Sequence, residues 1–273
     1  MSRFFSSKYR ELEAYTPGEQ PQDMQYIKLN TNESPFPPVE KAVRYAAQEA
    51  QRMHLYNDPE CETLHRKLAE HYGVGRYQVL ATNGSDEILN FAFMAFCDEE
   101  NPAIFPDITY GFYQVFAQVN HIPYKQVPLG EDLTIDITQY MGNDSTVFLA
   151  NPNANTGIAL PLERIEQILK ANPDHVVVID EAYVDFGGES AVRLVDRYDN
   201  LLVTQTFSKA WSMAGARLGV GIGSEELMRD LNTIKYSTNP YNVNRMTQAA
   251  GLGALESADE IRRGCDADRK SVV

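Results

Sequence analysis

Short apolar runs separated by amphipathic stretches fill the middle of this chain. Residues 78–82, 103–105, 147–150, 175–179, 201–206 and 218–222 are each too short for a free helix. Several are rich in β-branched side chains, so they read as strands buried on both faces. Helical spacing covers residues 38–52 and residues 60–72, the second stopped by Gly73. A third helix is expected from the turn at Asn83-Gly84-Ser85-Asp86-Glu87 through Phe96, and a fourth over 161–171. Strands alternating with helices argue for an α/β fold with a mostly parallel sheet flanked by helices. Residues 1–27 read as a polar, aromatic-dotted arm broken by Thr16-Pro17-Gly18 and Gln20-Pro21. Residues 28–255 read as one large domain, and no internal repeat or low-complexity tract interrupts it.

Composition narrows the class. The 273 residues are 43% hydrophobic, enough for one large core and part of a second. No apolar stretch reaches spanning length and the first ten residues lack a signal-peptide core, so a soluble cytoplasmic protein is expected. A net charge of −14 argues against non-specific nucleic-acid binding. Cys61, Cys97 and Cys265 are far apart and the five histidines form no metal-type pair, so neither a disulfide framework nor a metal site is expected.

Candidate chemistry gathers where the buried runs end. Asp180-Glu181-Ala182-Tyr183 follows one run, Ser208-Lys209 follows the next, and Arg217 comes shortly after. In open α/β sheets, ligands collect at the carboxyl ends of strands. A carboxylate there favours a protonated pyridine nitrogen, and a nearby phenol can donate to a ring oxygen. A lysine that is partly buried beside a cation can condense with an aldehyde. An arginine fork, with the hydroxyls of Thr206 and Ser208, suits phosphate oxygens. The set fits one phosphorylated, pyridine-containing aldehyde, pyridoxal 5′-phosphate. Gly84 permits a tight turn, and the amides of Ser85 and Asp86 form an anion site at a helix start. An ordinary capping box is the competing reading of that turn, and both can hold at once. The alternating glycines after Arg217 are not a dinucleotide fingerprint, because they lie along a strand; close packing of another backbone is expected there.

Asn83-Gly-Ser-Asp-Glu, Asp180-Glu-Ala-Tyr183, Thr206-Phe-Ser-Lys209 and Ala214-Gly-Ala-Arg217-Leu-Gly resemble the fold-type I pyridoxal-phosphate aminotransferases, and among them the histidinol-phosphate aminotransferase family. Leu29-Asn-Thr-Asn-Glu-Ser-Pro-Phe-Pro-Pro38 and Tyr56-Asn-Asp-Pro59 are similar to that family too, so the resemblance runs from about residue 26 to about residue 255. It implies a three-layer α/β/α large domain. It also implies that Lys209 bonds to the cofactor and moves the proton, that Asp180 meets the pyridine nitrogen, and that Tyr183 meets the ring oxygen. Tyr110 would stack on the ring. Ser85, Asp86, Ser208 and Arg217 would hold the phosphate, and Tyr56 would reach the phosphate of a neighbouring subunit in a homodimer. The implied reaction is amino transfer between L-histidinol phosphate or imidazole-acetol phosphate and glutamate or 2-oxoglutarate, in histidine biosynthesis. Two alternatives are a decarboxylase of the threonine-phosphate type and a catalytically impaired fragment that binds the cofactor.

Two departures carry expectations. Where the family has a proline before Thr-Gly, this chain reads Asn151-Pro-Asn-Ala-Asn-Thr-Gly157. The change removes a cis bond expected in that loop, with Asn153 the expected partner of the ring oxygen and Asn155 the alternative. The family also continues into a small α/β domain that binds substrate. Residues 256–273 read as the start of a truncated version of it, and Asp268-Arg-Lys-Ser-Val-Val273 resembles a translated library adapter, so an artefactual end to a longer gene is expected.

Overall fold

The computed structural model describes residues 2–9, 12, 15–19 and 28–271, with side chains through Asp268. The expected break at Gln20-Pro21 lies outside the described residues. Seven strands form one sheet: β1 (Val79–Thr82), β2 (Ala103–Pro106), β3 (Tyr124–Val127), β4 (Thr146–Ala150), β5 (Val177–Asp180), β6 (Leu201–Thr206) and β7 (Gly219–Gly223). Their order across the sheet is β1-β7-β6-β5-β4-β2-β3. β3, β2, β4, β5 and β6 run parallel, whereas β7 is antiparallel to both β6 and β1.

The six anticipated strands are buried at every position, which is why each shows a short apolar stretch in the sequence. β3 was not anticipated. It is the edge strand, its sequence is Tyr-Lys-Gln-Val, and only Val127 is buried, so no apolar run marks it.

Among the described residues there are eight α-helices: α1 (Glu40–Ala50), α2 (Glu62–Tyr72), α3 (Ser85–Phe96), α4 (Phe112–Asn120), α5 (Leu162–Ala171), α6 (Glu225–Thr238), α7 (Arg245–Leu255) and α8 (Ala258–Ser271). Alternate side chains of each strand point to opposite faces of the sheet. Leu80, Phe105, Phe148, Val178 and Leu202 pack against α3, α4 and α6 on one face. Val79, Val147, Leu149, Ile179 and Val203 pack against α2, α5 and α7 on the other, and the same cluster takes in Ile261 and Cys265 of α8. The result is the expected three layers. Each fully buried side chain of this kind contributes about 1.5–3 kcal/mol of transfer free energy.

β4, β5 and β6 are parallel and end in register, with Ala150 beside Asp180 and Asp180 beside Thr204. β7 returns antiparallel and starts at Gly219, which pairs with both Thr206 and Thr82. One edge of the sheet therefore receives the ends of β1, β4, β5 and β6 and the beginning of β7.

The approach of α3 to this edge needs a glycine. A Cβ on Gly219 would lie 2.3 Å from the Gly84 carbonyl carbon and 2.4 Å from the Ser85 nitrogen. Close backbone packing, expected from the alternating glycines, holds at Gly219, whereas Gly221 faces the Ile88 side chain.

Candidate active site

Nine of the side chains singled out in the sequence line a cavity of about 120 Å³ at this edge: Ser85, Asp86, Tyr110, Asp180, Tyr183, Thr206, Ser208, Lys209 and Arg217. They come from five segments far apart in sequence. A larger cavity of about 720 Å³ lies alongside, between residues 32–40 and α8, and Tyr183 borders both. The smaller one holds the chemistry, because the amine, guanidinium and buried acid all face it.

Asp180 is the last residue of β5 and is only 4% exposed. Its Oδ2 accepts a hydrogen bond from the hydroxyl of Tyr113 at 2.9 Å. Its Oδ1 is buried and has no partner among the described residues. Burial pushes the carboxyl up to about 6; the Tyr113 hydroxyl opposes the rise by stabilising the anion, the Asp86 charge adds to it, and the nearby Ala182 amide opposes it weakly. A buried carboxylate oxygen without a donor is costly to leave so. A protonated ring nitrogen would satisfy it, so the residues present fit the group that the sequence pointed to.

Lys209 follows β6. Its Nζ donates to the carbonyl of Thr31 at 2.9 Å and stands 5.7 Å from the Tyr183 ring centroid. The Tyr183 hydroxyl accepts from Asn32 Nδ2 at 2.9 Å, and Ser212 Oγ donates to Ser34 Oγ at 2.7 Å. The segment 31–34 therefore lies across the mouth of the site. Thr31 and Asn32 belong to the Leu29–Pro38 motif, yet their partners lie 178 and 151 residues away and leave no local signal.

Arg217 sits at the other end of the loop between β6 and β7. Its backbone is left-handed, φ 54° and ψ 60°, which costs a non-glycine residue about 1–2 kcal/mol. Strain of this kind persists where the surroundings hold a side chain in a required place. Nη2 pairs with Asp86 Oδ2 at 3.1 Å, and Nη1 donates to Ser208 Oγ at 3.3 Å. The other oxygen of Asp86 accepts from the Tyr110 hydroxyl at 2.7 Å. Gly84, with φ +80°, leaves room for the guanidinium: a Cβ there would lie 2.5 Å from Nη2. Gly84 is also the cap residue of α3, and no side chain caps that end, so the first-turn amides are not claimed by a serine or aspartate cap. Glu87 instead accepts from the Asn83 amide at 2.7 Å, the reaching-back half of a capping box.

Two expected residues are placed elsewhere. Asn153 is buried but does not line the cavity: its Nδ2 donates to the Ile108 carbonyl at 2.9 Å and its Oδ1 accepts from the Asn155 amide at 3.0 Å. Both polar ends are satisfied, one by the distant Ile108 and one within its own loop, and the residues of that loop that line the cavity are Pro152 and Ala154. Asn155 is exposed. The loop does contain a cis bond, at Asn151–Pro152, ahead of the position where its loss was expected. Tyr56 is 80% exposed, stacked on Tyr241 with centroids 4.6 Å apart, and not at this chain's own cavity. Tyr113 was missed altogether, since an aromatic among Phe112 and Phe116 reads as core.

The family model "Aminotransferase class I and II" matches residues 24–272. Histidinol-phosphate aminotransferase 2 of Gluconobacter oxydans is 48% identical over 262 residues, spanning 95% of this chain and 73% of that protein. The histidinol-phosphate aminotransferase of Brachyspira hyodysenteriae is 48% identical over 260 residues, spanning 94% and 73%. Among solved structures, histidinol-phosphate aminotransferase from Sinorhizobium meliloti in complex with pyridoxal-5′-phosphate shares the fold, with a TM-score of 0.79 at 24% identity over 86% of this chain and 65% of that one. With the family model covering nearly all of it and near relatives at almost half identity, this chain belongs to the class I and II aminotransferases.

Proposed function

We propose that the chain is a histidinol-phosphate aminotransferase that binds pyridoxal 5′-phosphate in the smaller cavity and moves an amino group between glutamate and imidazole-acetol phosphate. The observation that carries the reading is the buried, unpartnered Oδ1 of Asp180 in one cavity with the amine of Lys209 and the guanidinium of Arg217. The names of the relatives at 48% identity supply the substrate.

When bound, the cofactor supplies an electron sink for the bond-breaking at the substrate's α-carbon. Asp180 holds the ring nitrogen through Oδ1, and its negative charge keeps the nitrogen's proton in place. Tyr183 would donate its O–H to the ring oxygen while its own oxygen goes on accepting from Asn32. Tyr110 covers one face of the ring, its hydroxyl anchored on Asp86. Arg217, Ser208, Thr206 and the amides at the start of α3 take the phosphate; the arginine contributes charge and the helix end contributes oriented N–H groups. Lys209 would give up its hydrogen bond to Thr31 to serve as the amine that holds the aldehyde, and its Nζ would carry the proton at the substrate's α-carbon. The segment 31–34 excludes water from that proton. Tyr56, exposed and far from this cavity, reaches the phosphate held by a second copy, and the working form in the cytoplasm is a homodimer.

Borohydride treatment of protein loaded with the cofactor tests the reading. A reduced adduct mapped to Lys209 by peptide mass, absent in Lys209→Ala, is expected. Glutamate consumption dependent on imidazole-acetol phosphate, with no carbon dioxide released, is the expected reaction. No adduct on Lys209 overturns the cofactor assignment, and carbon dioxide release from phosphothreonine overturns the substrate.

A further inference from the structure

We infer that Tyr113 is a positioning residue for the cofactor, acting through Asp180 by locking one carboxylate oxygen so that the other is presented to the pyridine nitrogen. The inference rests on the function proposed above and adds to it a residue from the opposite layer.

Tyr113 lies in the first turn of α4, in the helical layer on the α3 side of the sheet, and none of its surface is exposed. Its ring is wedged among Phe105, Tyr110 and Phe148, with centroids 5.7, 5.8 and 5.9 Å away. That packing leaves the hydroxyl one position. The hydrogen bond to Asp180 Oδ2 is 2.9 Å long and joins residues 67 apart in the chain. Burial and the Asp180 charge drive the phenol well above its ordinary range, so it stays a donor throughout the working pH range.

A carboxylate on a strand end turns about its last side-chain bond unless something fixes it, because that torsion is broad. Here the phenol fixes it. With Oδ2 engaged, Oδ1 is the remaining acceptor, and it is the buried oxygen left without a donor. The phenol also spreads the carboxylate's charge without giving it a cation, so no ion pair competes with the incoming ring nitrogen. A lysine or arginine in the place of Tyr113 would satisfy Asp180 completely; a phenylalanine would leave two oxygens and a free rotor.

The same tyrosine orients a second group. Its ring meets that of Tyr110 nearly edge-on, at 86°, and Tyr110 is the side chain proposed to cover the cofactor. The edge of one ring against the face of the other is a favoured arrangement. Tyr113→Phe keeps this contact and removes only the hydroxyl, which separates the two roles.

The test is the dissociation constant for pyridoxal 5′-phosphate, measured by equilibrium dialysis on wild type, Tyr113→Phe, Asp180→Ala and the double variant, with melting temperature as a check on folding. Hydrogen bonds to charged groups are among the stronger ones. Tyr113→Phe is expected to weaken binding about tenfold in the Asp180 background and to change it less than about twofold in the Asp180→Ala background. Equal losses in both backgrounds would show that the phenol serves the fold and not the carboxylate, and an unchanged constant in the single variant would refute the inference outright. Wild type is reduced with borohydride in parallel. If it forms the Lys209 adduct while Tyr113→Phe binds normally, the inference fails alone; if wild type forms none, the cofactor assignment fails and the inference falls with it.

Discussion

Gly219→Ala is the sharpest probe of how the site is assembled. The added Cβ would lie 2.3 Å from a backbone carbon and 2.4 Å from a backbone nitrogen of the Gly84-Ser85 turn. Ordinary contact begins near 3.4 Å, so the start of α3 and the start of β7 would have to part by about 1 Å. Overpacking a well-filled site costs roughly 1–3 kcal/mol, and with rigid backbone on both sides the upper end applies. Unfolding entropy of about 2.1 cal/mol/K per residue gives roughly 0.57 kcal/mol/K for a chain of this length, so a loss of ~3 kcal/mol lowers Tm by about 5 °C. Gly221→Ala is the control. Its Cβ would lie 2.6 Å from Ile88 Cδ1 and 2.8 Å from Cγ1, side-chain atoms where Gly219 meets backbone. A strand also prefers alanine to glycine by roughly 0.5–1 kcal/mol. Gly221→Ala should therefore melt within about 2 °C of wild type. Differential scanning calorimetry with and without saturating pyridoxal 5′-phosphate reads both effects, because displaced first-turn amides should cost Gly219→Ala part of the cofactor's stabilisation. A Gly219→Ala protein that melts with wild type and keeps full stabilisation by the cofactor would refute the argument.

Three further outcomes are expected. Asp180 has a raised carboxyl in the fold, about 6 against 3.8, so between those values the folded chain holds a proton that the unfolded chain has released. Stability from this group is present below pH 4 and is lost as pH rises through 6; Asp180→Asn should remove about 3 kcal/mol of that decline in cofactor-free protein, measured by urea melts from pH 4 to 8. His65 works in the opposite sense. Burial first, and Arg76 second, push it down to about 3 from 6.5, while its Nε2 accepts the Ala81 amide at 2.8 Å. Its contribution is present above pH 6.5 and lost as pH falls towards 3, so His65→Gln should flatten the acid limb of the same curves by roughly 4 kcal/mol. Asn32→Ala removes the donor to Tyr183 and about 1 kcal/mol from the strap over the site, and limited proteolysis should then cut within residues 28–36 faster than in wild type.

Burial on both faces made most of the sheet readable. β4, β5 and β6 each carry a run of three or four buried apolar residues because helices cover both sides, and their ends carried Asp180, Ser208 and Lys209 to one edge. β3 has solvent beside it and a lysine and glutamine in the middle, so periodicity could not find it. The reversal of β7 was equally silent, because an antiparallel strand buried on both faces has the same composition as a parallel one. Site residues at strand ends were legible through their neighbours. Tyr113 was not, since nothing near it in sequence distinguishes a phenol that meets a carboxylate from one that fills space. Asn153 was misjudged for the converse reason: an amide in a polar loop looks free until the carbonyl of Ile108 is placed beside it.

The turn-back of β7 has one more consequence. Residues 207–218 leave the sheet from Thr206 and rejoin it at Gly219, its immediate neighbour, so the amine and the guanidinium ride on a single loop clamped at both ends by paired strands. Insertions elsewhere in the protein can drift without altering the spacing between these two cations. A change of one residue inside the loop cannot, which makes its length the quantity to hold constant in any redesign of the pocket.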